Sequence, residues 1–432
     1  MIAASAVVGC NLGAKYSVGG SLTGLTGTGL VLENNSGDDL TLDANGSFVF
    51  STGIKNGDSY SVTVKTQPAN PAQTCTVQNG SGEIDKADVT NVLVSCKQTG
   101  RFAYVANQLS NSVSAFAIDS SSGALVQVAG SPFAVSGTNP AALAVDPNGR
   151  FLYVAYSGSN EVQPYSINSS TGALTAAGSA VPAGSGPDAL AIDPTDSYLY
   201  VANLASNSVS AYSLDSSTGL PTALAGSPIA VGAGPSALQI DPSGGFLYVT
   251  EFGAHAVVVL AIDSSTGSLS GVSGSPFNSG AGPESLAVYP TGGYVYVANE
   301  SGKSLSEYST NASSGALTEI SGSPLATQGA PLWVTVDPAG RFLYAAGAAT
   351  NAVSTYSIAP TTGVLTLSGS PVAAGSLPAA LAIDSSGQFM YVVNDQSNDV
   401  SAFSVDATTG VLTPIAGAPF AVGNQPRAIV ID

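Results

Sequence analysis

Charge is what this chain has least of. Among 432 residues only ten are Lys or Arg and 28 are Asp or Glu, leaving a formal net charge of −18. A surface of that sign repels phosphate backbones and anionic headgroups, so no nucleic-acid partner is expected, and a membrane is reached only through a lipid anchor. Histidine is nearly absent: His255 stands alone. One His and no cysteine cluster exclude a conventional zinc site, and no metal or cofactor is expected. A serine triad needs a His base, and no Gly-x-Ser-x-Gly stands in a strand-to-helix context. Phosphate-cradling glycine loops need a helix behind them, and helix signals are missing throughout. No apolar run approaches the ~20 residues of a membrane-spanning helix.

Cysteine is also scarce, with three residues. Cys75 and Cys96 sit on two strand-like runs, Gln73-Thr74-Cys75-Thr76-Val77 and Val92-Leu93-Val94-Ser95-Cys96, and in an oxidising compartment they are expected to pair. Cys10 closes Val7-Val8-Gly9-Cys10, which resembles the lipobox of bacterial lipoproteins, although no positively charged segment precedes it. The resemblance implies lipidation of Cys10. Residues 1–10 then read as a shortened lipoprotein signal, and the location as exported, on the bacterial outer membrane or extracellular.

Short strand candidates fill residues 11–98, among them Gly29-Leu30-Val31-Leu32, Ser47-Phe48-Val49-Phe50 and Tyr60-Ser61-Val62-Thr63-Val64. Asn34-Asn35-Ser36-Gly37, Asn45-Gly46 and Lys55-Asn56-Gly57-Asp58 supply turns between them. This spacing predicts a small β-sandwich. It resembles the immunoglobulin-like or transthyretin-like modules of bacterial surface lipoproteins.

From residue 99 to 432 a repeat takes over. Tyr104, Tyr153, Tyr200, Tyr248, Tyr296, Tyr344 and Tyr391 recur at intervals of 47 to 49 residues. Four short strands fit each unit, which is the signature of a propeller blade and not of a helical solenoid. The first unit opens in its second strand, at Phe102-Ala103-Tyr104. The chain ends on a lone first strand, Pro426-Arg427-Ala428-Ile429-Val430-Ile431. The C-terminus is therefore predicted to supply the innermost strand of the first blade and close the ring. The fold class is all-β: a seven-bladed β-propeller preceded by a small β-sandwich.

Tyr-Val-Ala-Asn at 104–107, 200–203 and 296–299, the near copy Tyr391-Val392-Val393-Asn394, the Asp-Pro-x-Gly turns and the Gly-Ser-Pro elements resemble the YVTN, or lactonase-like, seven-bladed β-propeller family. That family includes 6-phosphogluconolactonases and a muconate-lactonising cyclase, so the resemblance implies the fold and, as one option, lactone chemistry on anionic substrates.

Candidate site residues are of two kinds. Asn107, Asn203, Glu251, Asn299 and Asn394 end the second strands, near the face where propellers bind ligands, and are expected to ring the mouth. Glu251 breaks the Asn repeat and lies four residues before His255; this pair is the candidate catalytic couple if the protein is a lactonase. Trp333, on an inner-strand run, reads as core packing. The Asp residues that recur at equivalent turns read as structural. A site for anionic lactones wants several cations, and the propeller has only five basic residues, three of them at repeated turns. The expectation is therefore an exported or cell-surface binding or scaffold module that meets a protein or glycan through its mouth loops. A lactone hydrolase resembling 6-phosphogluconolactonase is the alternative, and a structural matrix or coat component a second one.

Overall fold

The structure is a computed structural model that describes residues 14–25, 28–68, 73–98 and 102–432. The chain divides into two compact units, residues 1–99 and 100–432. Among the described residues every regular element is a strand, and no helix is long and apolar enough to cross a membrane. Cys10 and the lipobox-like run lie outside the described residues.

The first unit contains two four-stranded sheets. One is built on Val18–Thr23 and Val89–Gln98, the other on Leu30–Asn34 and Ser59–Thr66. Alternate residues of these strands (Leu22, Leu30, Leu32, Tyr60, Val62, Val92 and Val94) point into one shared core. Cys75 and Cys96 face each other across adjacent antiparallel strands and are joined by a disulfide.

The second unit is the repeat made physical: seven antiparallel sheets, one per unit. In the third blade the strands run Pro187–Ile192, Tyr198–Asn203 and Ser208–Leu214, followed by an outer strand in two pieces, Pro221–Ala223 and Ile229–Ala230. The second strands are buried almost without alternation because a neighbouring blade covers each of their faces. Hence the near-continuous apolar runs such as Phe-Leu-Tyr-Val.

The other repeated residues have local explanations. Where Gly-Ser-Pro interrupts the outer strand, the serine Oγ accepts the backbone N–H that the broken ladder would leave bare: Ala211 donates to Ser227 at 2.8 Å, and Ala115 to Ser131 and Val259 to Ser275 likewise. The turn aspartates do the same between first and second strands. Asp193 Oδ1 accepts from the N–H groups of Ser197 and Tyr198, and Asp146, Asp241, Asp337 and Asp384 repeat the pattern. Arg150 and Arg341 lie against these aspartates and over Phe151 and Phe342. The repeated tyrosine stitches blade to blade: Tyr200 Oη donates to Gly267 O at 2.8 Å, and Tyr153 and Tyr296 reach Gly219 and Gly363. Each of those glycines has positive φ, and a Cβ there would strike an aromatic ring of the preceding blade, Tyr198 in the case of Gly267. No other residue meets both demands.

Closure follows the predicted scheme. Pro426–Ile431 pairs antiparallel with Phe102–Asn107 and forms the innermost strand of the first blade.

Candidate active site in the central channel

The five residues expected to ring the mouth are buried within their blades. Asn107 Nδ2 donates to Ser112 Oγ and Ser114 Oγ at 3.1 and 2.9 Å, while its Oδ1 accepts from Gly423 N–H at 3.0 Å. Asn203 and Asn299 donate to the equivalent serine pairs, and Asn394 to Asp399 and Ser401. Glu251 accepts from Gly232 N–H, and burial pushes its carboxyl above the ordinary range. These side chains brace the turn between second and third strands against the incoming loop.

His255 has the same kind of task. It sits exposed at φ 55°, at the position that Asn111, Asn160, Asn207, Asn351 and Asn398 occupy in other blades, all with positive φ. Its Nδ1 accepts from Gly282 N–H at 3.0 Å, as Asn207 Oδ1 accepts from Gly234 N–H at 2.8 Å. The imidazole thus replaces an Asn amide as a latch onto the start of the next blade, and Glu251 is engaged elsewhere.

The chemistry lies one strand further in. Every first strand begins with proline, and the pairing register slips immediately after it. Pro187 opposes Asn203 and Ala189 opposes Ala202, so Asp188 has no partner. The same bulge occurs in all seven blades. A bulge bends its strand and re-aims the extra side chain. The seven extra residues are Ala141, Asp188, Ser236, Glu284, Leu332, Ala379 and Arg427, and all line one cavity of about 200 Å³ in the centre of the ring. Because each bulge lies opposite the end of a second strand, this ring sits at the end of the channel that carries the second-to-third-strand turns.

Around the ring the chemistry is uneven. Asp188, Ser236 and Glu284, from three successive blades, form a polar arc; Leu332 and Ala379 follow it with apolar groups, and Arg427, between Ala379 and Ala141, completes the circle. Trp333, next to the bulge, also lines the cavity while touching the core beneath it. It packs against the core, as read from sequence, and is a channel residue as well. Ser236 is committed to the scaffold, donating to Pro283 O.

Arg427, Asp188 and Glu284 come from three different blades and feel one another's charge. Glu284 titrates near 7: burial raises it first, Asp188 raises it further, and Arg427 lowers it. Burial also raises Asp188, against the opposing pull of Arg427. Asp395 Oδ2, from the turn after Asn394, lies 3.9 Å from Arg427 Nη1. A carboxyl poised near neutrality can exchange a proton, and a guanidinium facing the same cavity can stabilise a developing oxyanion.

The sequence held a signal for this site. In the column that follows the inner-strand proline stand Ala, Asp, Ser, Glu, Leu, Ala and Arg, while the residue two places on is always Leu, Val or Ile. Chemical variety in one column of a monotonous repeat marks the position that the fold does not need.

A family model for lactonase, 7-bladed beta-propeller, matches residues 40–238 and 232–429. The chain belongs to this lactonase family. The lactonase fold is shared with several solved structures. A candidate 6-phosphogluconolactonase from Bacteroides uniformis is 18% identical, with a TM-score of 0.67 over 77% of this chain and 99% of its own. One from Bacteroides fragilis is 20% identical, with a TM-score of 0.67 over 77% and 97%. The periplasmic gluconolactonase of Pseudomonas aeruginosa is 19% identical, with a TM-score of 0.66 over 76% and 98%. No curated protein matches the chain.

These findings overturn the expectation of a binding or scaffold module. That expectation rested on the shortage of cations in the propeller as a whole. The lactonase membership and the convergence of Arg427, Glu284 and Asp188 point to the lactonase alternative instead. Cations are few in the propeller, but the one arginine outside the repeated turns, Arg427, lines the cavity.

Proposed function

We propose that this protein is a lactone hydrolase whose active site is the bulge ring of the central channel. The observation that carries the proposal is the convergence of Arg427, Glu284 and Asp188 on one cavity, from positions that other blades fill with alanine. Family membership supports the same reading.

Glu284 is the general base. Ionised, it takes a proton from water as the oxygen attacks the lactone carbonyl carbon. Arg427 faces the carbonyl oxygen and stabilises the tetrahedral oxyanion. When that intermediate collapses, the bond between the acyl carbon and the ring oxygen breaks. Glu284 returns its proton to the departing alkoxide, leaving a hydroxy acid. Asp188 orients the substrate and keeps Glu284 within reach of neutral pH. We also infer export to an oxidising compartment, which the Cys75–Cys96 disulfide and the lipobox-like Val7-Val8-Gly9-Cys10 favour.

The test is hydrolysis of glucono-δ-lactone by purified protein, above the spontaneous rate. Turnover that Arg427→Ala abolishes is the expected result. Turnover indifferent to both Arg427→Ala and Glu284→Gln removes the channel from the mechanism.

A further inference from the structure

The charge balance of this channel bears on what enters it. Among the described residues one cation, Arg427, faces the cavity, and two carboxylates, Asp188 and Glu284, share the ring with it. Two more carboxylates stand close by: Asp395, at 3.9 Å from the guanidinium, and Glu300, whose charge reaches Glu284. The guanidinium is therefore already partly compensated. A phosphate dianion brought into this space would meet the like charge of these carboxylates.

The hydrogen-bonding inventory points the same way. Neither Asp188 nor Glu284 has a hydrogen-bond donor from the described residues, although both carboxylates project into the cavity. Ionised carboxylates only accept, so the site offers acceptors awaiting donors. Hydroxyl groups of a polyol are such donors, and phosphate oxygens are not. The opposite arc, with Leu332, Trp333 and Ala379, offers the apolar surface that suits the C–H face of a sugar ring.

Resting on the lactonase reading, we propose that the channel selects an uncharged polyhydroxy lactone over its phosphorylated counterpart. Glucono-δ-lactone and 6-phosphoglucono-δ-lactone differ in that one group. The test compares kcat/KM for the two with the full chain, spontaneous hydrolysis subtracted. The expected result is a preference of ~10-fold or more for the neutral lactone, which narrows in Asp188→Asn because one repelling charge is gone. Equal turnover or a preference for the phosphorylated lactone overturns the proposal.

Calorimetric binding of glucono-δ-lactam and its 6-phosphate, neither of them hydrolysable, separates the two readings. If no lactone is hydrolysed but the neutral lactam binds more tightly, hydrolysis is refuted and the specificity is upheld. If the phosphorylated lactam binds more tightly, or neither binds, the specificity is refuted.

Discussion

Tyr391 Oη in the last blade donates a 2.8 Å hydrogen bond to the carbonyl of Gly123 in the first, 268 residues away in sequence. It is the same bond that Tyr200 makes to Gly267, so the seam of the ring carries the same stitch as blade contacts elsewhere. Beside it, Pro426–Ile431 completes the first sheet by pairing with Phe102–Asn107. Deleting residues 425–432 removes this strand and bares the inner edge of Phe102–Asn107. The truncated protein is expected to lose its cooperative thermal transition, or to melt more than ~10 °C lower. A melt superimposable on the full chain's would refute closure by the C-terminus.

Arg427 occupies a bulge where two other blades carry alanine, so the fold does not require its side chain. Arg427→Ala is expected to leave the melting temperature within a few degrees and to reduce kcat/KM by ~10²–10³-fold, the usual loss for one oxyanion donor. Steady-state kinetics and a thermal melt on the same sample check both halves.

Glu284 gives a pH signature with a definite sign. As a base it must be ionised, so kcat/KM is expected to rise with pH through about 7. Asp188 and Glu300 face it and hold that value up, while Arg427 pulls it down. Glu284→Gln should flatten the profile and cost ~10²–10⁴-fold in rate.

The same carboxyl makes a stability prediction. Its pKa in the folded protein lies above the ordinary 4.5. Its contribution to stability is therefore present below that ordinary value and is lost as pH rises through the folded one. Glu284→Gln should equal wild type at pH 4 and exceed it at pH 8, by on the order of 2 kcal/mol. Denaturant melts at the two pH values decide it, and an equal or lower stability of the variant at pH 8 would contradict the raised carboxyl.

His255 distinguishes a latch from a catalyst. At positive φ, and as an acceptor for Gly282 N–H, it does the work of an asparagine. His255→Asn should leave both stability and turnover near wild type. His255→Ala should cost ~1–2 kcal/mol of stability without changing the pH profile, because Ala is strained there and accepts nothing. Loss of turnover in His255→Asn would return the imidazole to the chemistry.

Much of the architecture was legible because the repeat forces it. One tyrosine in every blade, and a turn aspartate and a Gly-Ser-Pro in most, answer backbone demands that recur around the ring, so spacing alone reveals the blades and the phase of closure. The site was less legible for the same reason. Asn107, Asn203 and Asn299 attract attention by recurring, yet they recur because each braces the turn that follows it. Glu251 and His255 attract attention by departing from the repeat, yet each serves the backbone where it stands. Asp188, Glu284 and Arg427 matter because a bulge turns them inward. Nothing in a strand's alternation of polar and apolar residues reveals a bulge; it becomes visible only when the two strands are laid in register.

The bulge has a consequence for how such a protein can change. A residue that belongs to no pairing in the ladder can be exchanged without shifting the strands beside it. Seven such places face a common space, one from each blade. Selection can therefore rewrite what the channel accepts, residue by residue, while leaving the ring that holds it untouched. A library confined to these seven codons would sample substrates and not folds.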